Sequence, residues 1–520
     1  MSKFNKTKTP VSKQKPETIN KAGGVAFDKS AELELVSRLL TWFVNDGYYE
    51  SEADDRAAIR MLISKLQDKK FAAKAAIYAR TVFGMRSVTH LLTGELFLSG
   101  ISGEPWARNF VKNLVTRVDD MMEILAYWDS LGQKGRPRAL LRGISDSFQK
   151  FDTYQLGKYQ SGGSDMSLID VVRLTHPAPT EKNKKGLEKL VAGNLKATGT
   201  RQAALVKATQ NLKSEEEREA ARKEVWKDQL ESGKIGYFEL VKNMGGVLRD
   251  APEYLDKAIE LLGNEKAILN SKVFPFRYVT AVNNIKKLYP TEPGLRKVLA
   301  AMSRAVDISC KNVPKLENTL VAVDVSGSMD SALIASKQDM KRHEIRGTEA
   351  TTMKQAASLF GAILVKAGYG DLMIFASDSK YIDYNPEDSA LSIANSASQH
   401  SGYQGHGTCF GSIFRRANRK YDRVVIFSDM QGWQGSYFAD FNSYMDNGAP
   451  IKSLDAYKKK YNADPKIYSV NMAESGGSMF NLSSSKVVPL AGFSEKLFNL
   501  MEIAEQDRNA LINAINAVDL

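Results

Sequence analysis

Residues 321–330 read VAVDVSGSMD. An apolar run ends there in one carboxylate and two hydroxyls at alternate positions, Asp324, Ser326 and Ser328. Asp, Ser and Gly are also what an ordinary strand-to-helix turn is made of, because they cap helices and tolerate tight bends. The surrounding chain decides between a plain turn and a metal site. TLVAVDV (319–325), DLMIFAS (371–377), RVVIFSDM (423–430) and KIYSVNM (466–472) read as strands. MKQAASLFGAILVKAG (353–368) and FSEKLFNLMEIAEQDRNALINAINAV (493–518) read as helices. Strands alternating with helices predict right-handed crossovers and a mainly parallel, doubly wound α/β sheet covered on both faces. In such a sheet, ligands sit beyond the carboxyl ends of the strands, which is where VAVDVSGSMD ends.

Two further strand ends supply partners. FSDMQG (427–432) places Asp429 after VVIF, and the glycine-rich loop SGYQGHGTCFG (401–411) places Thr408 at the same edge. Oxygen ligands of this kind suit a hard cation such as Mg²⁺, which takes near-octahedral geometry and keeps several waters. His406 and Cys409 lie close to Thr408, and a Cys with a His can form a nucleophile pair. No third orienting group accompanies them, so the chain is read as having no catalytic activity.

Ahead of this block the periodicity is helical. AELELVSRLLTWFV, DRAAIRMLISKLQ, KFAAKAAIYARTVFG, SVTHLLTGELFL and RNFVKNLVTRVDDMMEILAYW place apolar residues three and four apart, with short polar breaks between them. RALLRGISDSFQKF, SLIDVVRLTH, GYFELVKNMGGVL, PEYLDKAIELLG and GLRKVLAAMSRAVDI continue the pattern. Short-linked helices pack as antiparallel neighbours, so residues 25–312 are expected to form an α-solenoid of irregular repeats. Whether the solenoid closes depends on small rotations between repeats, which the sequence does not fix. The charge-rich segment 177–232 is expected to hold an exposed loop and a solvated helix. Residues 1–24 carry six Lys and one Glu with almost no large apolar side chains. They are expected to be a flexible basic arm.

The 520 residues are enough for two or more domains. Of 72 Lys+Arg and 60 Asp+Glu, 49 and 36 fall in residues 1–300, leaving 23 and 24 beyond. The net +12 is therefore +13 in the first part and −1 in the second. A basic surface gathered in one domain is the footprint of a polyanion partner, because neutralising phosphates releases condensed counterions. A solubility surplus on solvated helices would give the same count. Two cysteines exclude a disulfide framework or a thiolate zinc site and point to a reducing compartment. The sequence has neither an apolar stretch of membrane length nor a secretory leader, so a cytoplasmic location and no membrane partner are expected.

Two resemblances sharpen this reading. The set Asp324, Ser326, Ser328, Thr408 and Asp429 resembles the metal-ion-dependent adhesion site of von Willebrand factor type A domains over residues 313–520. That resemblance implies that the hydroxyls contact Mg²⁺ or its waters, that the two carboxylates act directly or through water, and that an acidic group of a protein ligand completes the shell. LGKYQSGGSDMSLIDVVRLTHPAP (156–179), NSKVFPFRYVTAVNNI (270–285), NMGGVL (243–248) and FGMRSV (83–88) resemble the TROVE module of the Ro autoantigen family. The family implies a multidomain chain, an all-α ring of HEAT-like repeats closed by a Rossmann-like type A domain. It also implies non-catalytic binding of small noncoding RNA of the Y RNA kind on the outer surface, single-stranded RNA ends in the central hole, an RNA-processing nuclease as partner, and a monomer.

By motif, Lys158 and His176 match positions associated with Y RNA contact. Gln160, Ser161, Gly162 and Gly163 stand where the family often carries further basic residues. Lys158, Tyr159, Arg173, His176 and Arg277 have the chemistry for phosphate contact or base stacking. Arg173 could instead pair with Asp170, Tyr159 could be core and His176 could be a helix cap, while Phe274, Phe276 and Tyr278 read as packing residues. The rival reading of the whole chain is a metal-dependent protein-interaction scaffold that binds no nucleic acid.

Overall fold

The computed structural model describes residues 18–42, 52–159, 166–195, 204–205, 208–210, 212, 214–233, 235–271, 273, 275–331, 352–368, 370–433, 450–473, 477–492, 496–507 and 509–520. The first element is a small hairpin, β1 (Thr18–Ile19) against β2 (Val25–Ala26). The flexible arm expected over residues 1–24 is corrected for its last seven residues. Residues 18–24 are held by pairing and by a turn in which Asn20 N–H donates to Gly24 O at 2.8 Å. Residues 1–17 of that arm lie outside the described residues.

A helical array follows, through Ala31–Thr41, Glu52–Lys65, Lys69–Thr81, Ser87–Leu98 and onward to Leu295–Ser309. The helices start where the sequence offers caps: Ser30, Asp68, Asp152, Ser167 and Ser214 each accept a backbone N–H of the first turn. The run read from Arg108 to Trp128 is two helices, Ala107–Leu114 and Val118–Ser130, broken at Val115–Arg117. In the charge-rich segment, Glu215–Glu231 is a mostly solvated helix anchored by buried Val225, Trp226 and Leu230. Among the described residues, no helix is long and apolar enough to cross a membrane.

The second half is a six-stranded sheet in the order β5-β4-β3-β6-β7-β8. Its strands are β3 (Thr319–Asp324), β4 (Asp371–Phe375), β5 (Ser379–Ile382), β6 (Arg423–Ser428), β7 (Lys466–Asn471) and β8 (Val487–Ala491). All neighbours are parallel except β4 and β5. Alternate residues serve opposite faces. Val321, Val323 and Val325 share a core with Phe360 and Phe498, while Leu320, Ala322 and Phe375 share another with Phe410, Phe414 and Tyr457. The closing helix is two, Lys496–Ala504 and Ala510–Asn516.

The helical array meets the α/β part at both of its ends. At its start, Thr41 Oγ1 donates to Ala473 O at 2.9 Å, Lys74 Nζ donates to Asn516 O at 2.6 Å, and Phe83 and Leu40 close on Gly492. At its end, helices Pro275–Leu288 and Leu295–Ser309 pack on Met353–Gly368 and Ala390–Ser398, and Ala390 N–H donates to Asp307 Oδ1 at 2.8 Å. One apolar cluster holds residues of both parts, from Leu35 of the array to Ile515 of the last helix. Both ends of the helical array are therefore seated on the α/β part.

Candidate cation site and nucleic-acid interface

Asp324 is the last residue of β3, and the register opposes Val323 to Phe427 on β6, so Asp324 faces Ser428. Ser428 Oγ donates to Asp324 Oδ2 at 2.5 Å, and Ser326 N–H donates to Asp324 Oδ1 at 2.8 Å. The Ser326 and Ser328 hydroxyls lie 3.3 Å apart. Asp429 follows β6 directly, and its Oδ1 accepts the Gln431 N–H at 3.1 Å. Thr408 reaches this edge because its loop is laced to the first turn and to the loop after β6. Gly327 N–H donates to His406 O at 3.2 Å, Gly402 N–H to Val325 O at 2.7 Å, and Trp433 N–H to Thr408 O at 3.1 Å. Met430, with φ 59°, holds the turn after Asp429 in the left-handed region that a side chain of its kind rarely adopts, a local strain of the sort that gathers at functional sites.

Burial raises the affinity of both carboxyls for protons. Asp324 is pushed up first by desolvation and then by the charge of Asp429, with the hydrogen bonds from Ser326 and Ser428 opposing. Asp429 is pushed up by desolvation, with the Ser328 hydroxyl and the Gln431 N–H opposing. Two buried carboxyls facing each other are costly as a pair of anions, and a divalent cation removes that cost. Asp429 Oδ2 is buried without a hydrogen-bond partner, an acceptor open to a cation. Among the described residues, no group of three or more His, Cys, Asp or Glu is placed to hold a metal. A cation here would rest on two carboxylates and hydroxyls, a donor set that suits Mg²⁺.

The other acid of the motif is committed elsewhere, since Asp330 pairs with Lys354 and accepts from Ser401 Oγ at 2.7 Å. Cys409 is fully buried with its sulfur 3.2 Å from Arg415 Nη2, while His406 is exposed, so the two do not share a reactive environment. Ser428 and Gln431 were missed as supports of the site, although both stand beside Asp429 in FSDMQG.

The candidate RNA-contact residues lie on three helices, Thr153–Lys158 with Tyr159 at its end, Leu168–Thr175 with His176 at its end, and Pro275–Leu288. Lys158 is exposed at the end of helix Thr153–Lys158, with its Nζ 5.7 Å from the Tyr159 ring centroid, and the Arg117 guanidinium lies 5.3 Å from the same ring. Tyr159 is half-buried, with one part of its surface on the core, and burial raises its hydroxyl pKa. Gln160 to Gly163 lie outside the described residues. Arg173 is 72% exposed and only 4.0 Å from Asp170, a pair that surface screening makes nearly worthless for stability. His176 is exposed and ends helix Leu168–Thr175 in the left-handed region, φ 45°, with its N–H donating to Val172 O at 2.9 Å. The cap reading of His176 is thus physically present, and its imidazole still faces solvent.

Arg277 stands apart from Lys158 and Tyr159. It packs 5.9 Å from the Phe238 ring, and burial lowers its pKa to about 10. Tyr278 is a packing residue, buried with its hydroxyl 3.2 Å from that of Tyr237. Phe274 and the side chain of Phe276 lie outside the described residues.

Arg117 was missed because nothing in its local sequence marks it. Its position is set by Asp120, which is 1% exposed and accepts from Arg117 N–H at 2.9 Å, Thr116 N–H at 3.0 Å and Arg80 Nη2 at 2.8 Å. Arg86 Nε at 3.3 Å and His90 Nε2 at 3.1 Å reach the same carboxylate.

Residues 45–221 match the family model of the TROVE domain. Telomerase protein component 1 of Rattus norvegicus is 22% identical over 337 residues, half of this chain, and the Mus musculus protein of that name is 23% identical over 352 residues. Each match spans 13% of the relative's length, so this chain corresponds to a small part of those proteins. The crystal structure of Deinococcus radiodurans RO (RSR) protein superposes with a TM-score of 0.57 at 18% identity, over 94% of this chain and all of that one. The likeness to that structure is one of fold.

Proposed function

From the match of residues 45–221 to the TROVE domain model, we propose that the chain is a member of the Ro family and an RNA-binding ribonucleoprotein component without catalytic turnover. The carrying observation is the half-buried Tyr159 ring flanked by Arg117 and Lys158 on the helical part, the part that holds the whole positive excess. Cations beside an aromatic ring bind phosphate and stack a base with little sequence preference. Exposed Arg173 and His176 add further contacts to a small structured noncoding RNA of the Y RNA kind. Single-stranded RNA ends are held between the helical array and the α/β part on which both of its ends are seated. The bound RNA is offered there to an RNA-processing nuclease, and the protein works as a cytoplasmic monomer.

The sheet edge adds a second element. We assign the α/β part to the von Willebrand factor A kind, with Asp324, Ser326, Ser328, Thr408 and Asp429 holding Mg²⁺ directly or through water. When bound, Mg²⁺ neutralises the two buried carboxylates and presents an open position to an acidic group of a protein ligand. Ser428 and the Ser326 N–H fix the Asp324 oxygens, and the Gln431 N–H fixes Asp429 Oδ1.

The test is purification of the full chain from its native cell, with absorbance at 260 and 280 nm read before and after nuclease and the cross-linked RNA sequenced. Co-purifying noncoding RNA supports the reading. Nucleic-acid-free protein that fails to retain structured RNA at low salt, yet pulls down proteins in a Mg²⁺-dependent manner, establishes the scaffold instead.

A further inference from the structure

The hairpin Thr18–Ala26 lies on the loop that follows Asp429. Asn20 is 5% exposed and divides its amide between two tasks. Its Oδ1 accepts the N–H groups of Ala22 and Gly24 at 3.0 and 2.9 Å, which shapes the hairpin's own turn. Its Nδ2 donates to Gly432 O at 2.6 Å, across 412 residues of chain. Ala22 N–H also reaches Gln431 Oε1, at 3.3 Å. Gly24 presses so closely that a Cβ there would sit 1.9 Å from Gly432 O and 2.8 Å from Trp433 Cα. No side chain fits at that distance, so the contact requires glycine.

Gly432 is the midpoint between two supports of the cation site. On one side the Gln431 N–H holds Asp429 Oδ1 at 3.1 Å, and Gln431 itself is fully buried. On the other the Trp433 N–H holds Thr408 O at 3.1 Å. The residue pinned by the hairpin therefore joins the loops that carry Asp429 and Thr408. The hairpin is also the lead-in to the helical array, since Phe27 and Ser478 exchange both backbone hydrogen bonds, at 2.8 and 2.9 Å, before Ala31–Thr41 begins.

We propose that the Thr18–Ala26 hairpin is a clasp for the cation site, with Asn20 and Gly24 as positioning residues that set the Asp429 and Thr408 loops through Gly432. This rests on the cation reading of Asp324 and Asp429. Cation binding favours the docked clasp, and the docked clasp favours cation binding, by one and the same factor, because coupling between two sites is reciprocal. The clasp thereby links the cation to the point where the helical array starts.

Asn20→Asp separates the two tasks of the amide: it keeps the acceptor that shapes the turn and removes the donor that crosses to Gly432. Gly24→Ala tests the close approach independently. Mg²⁺ affinity of the full chain is measured by titration calorimetry, with circular dichroism to confirm folding, and hydrogen exchange of the wild-type hairpin is followed with and without Mg²⁺. The expected result is an affinity about 5- to 10-fold lower in both variants, and slowing of the Ala22 and Gly24 amides in wild type by a similar factor. Variants that bind Mg²⁺ as wild type does, or hairpin amides indifferent to Mg²⁺, overturn the clasp while leaving the cation site standing. A wild-type chain that binds no Mg²⁺ overturns the cation reading, and the clasp with it.

Discussion

Gly492 faces the Phe83 ring across the seam where the start of the helical array meets the sheet: a Cβ on Gly492 would lie 2.9 Å from Phe83 Cε1 and 3.3 Å from Leu40 Cβ. Its φ of +116° is a conformation that side chains rarely adopt. Gly492→Ala thus meets steric overlap and backbone strain together, and about 1–3 kcal/mol of stability should be lost. Urea unfolding checks the loss, and small-angle scattering checks whether the seam opens. A variant of unchanged midpoint and dimensions speaks against a tightly packed seam.

The sheet's inner strands were legible because they are buried on both faces and so read as apolar runs, as in Leu320–Val323 and Val424–Phe427. The two edges were not. β5 is only four residues, Ser379–Ile382, with Lys380 exposed, and β8 contains Pro489, which an edge strand tolerates and a central one does not. The grouping of Asp324, Ser326 and Ser328 at one strand end was legible because that pattern is local. The contacts of Asn20 with Gly432, and of Arg117 with Tyr159, depend on residues far apart in the chain that meet only in the fold. They leave no periodicity or spacing to read.

The cation pair makes a prediction with a definite sign. Asp324 and Asp429 hold protons more tightly when folded than the ordinary carboxyl value of about 4. The folded state then binds more protons than the unfolded one, so without divalent cation their contribution to stability is present below about pH 4 and is lost as pH rises through the folded values. At pH 7.5 without metal, Asp324→Asn should therefore melt above wild type. With Mg²⁺ at about 100 times its Kd, wild type should gain about 2.7 kcal/mol, whereas Asp324→Asn and Asp429→Asn should gain almost nothing. Thermal melts in EDTA and in Mg²⁺ decide it. A wild type and Asp429→Asn that respond equally to Mg²⁺ remove Asp429 from the site.

RNA affinity should be dominated by phosphate neutralisation and so fall steeply with salt. Lys158→Ala should weaken structured-RNA binding across sequences and reduce the slope of log affinity against log salt by about one. Tyr159→Ala should instead cost about 1–3 kcal/mol with little change of slope, because a stacked base carries no counterion. Filter-binding titrations at several salt concentrations separate the two. Unchanged affinity in Lys158→Ala, Tyr159→Ala and His176→Ala moves the RNA off this face.

Asp120 organises the backbone beneath Arg117, and removing it should be felt in both stability and RNA binding. It is buried against Arg80, which is itself buried, so Asp120→Ala leaves a guanidinium without its main acceptor and should cost about 3–5 kcal/mol. Burial alone would raise the Asp120 pKa, but the hydrogen bond and charge of His90, the charge of Arg80 and the Thr116 N–H outweigh it and hold the carboxyl well below its ordinary value. A depressed folded pKa gives stability that is present above the unfolded value of about 4 and is lost as pH falls below it toward the folded one. The stability gap between wild type and Asp120→Asn should therefore be widest near neutrality and narrow from about pH 4 downward. Urea midpoints at pH 7, 5, 4 and 3 measure that gap. A gap that stays constant down to pH 3 rules out an ionised Asp120 as the anchor of these helices, and with it the argument that Asp120 sets Arg117 beside Tyr159.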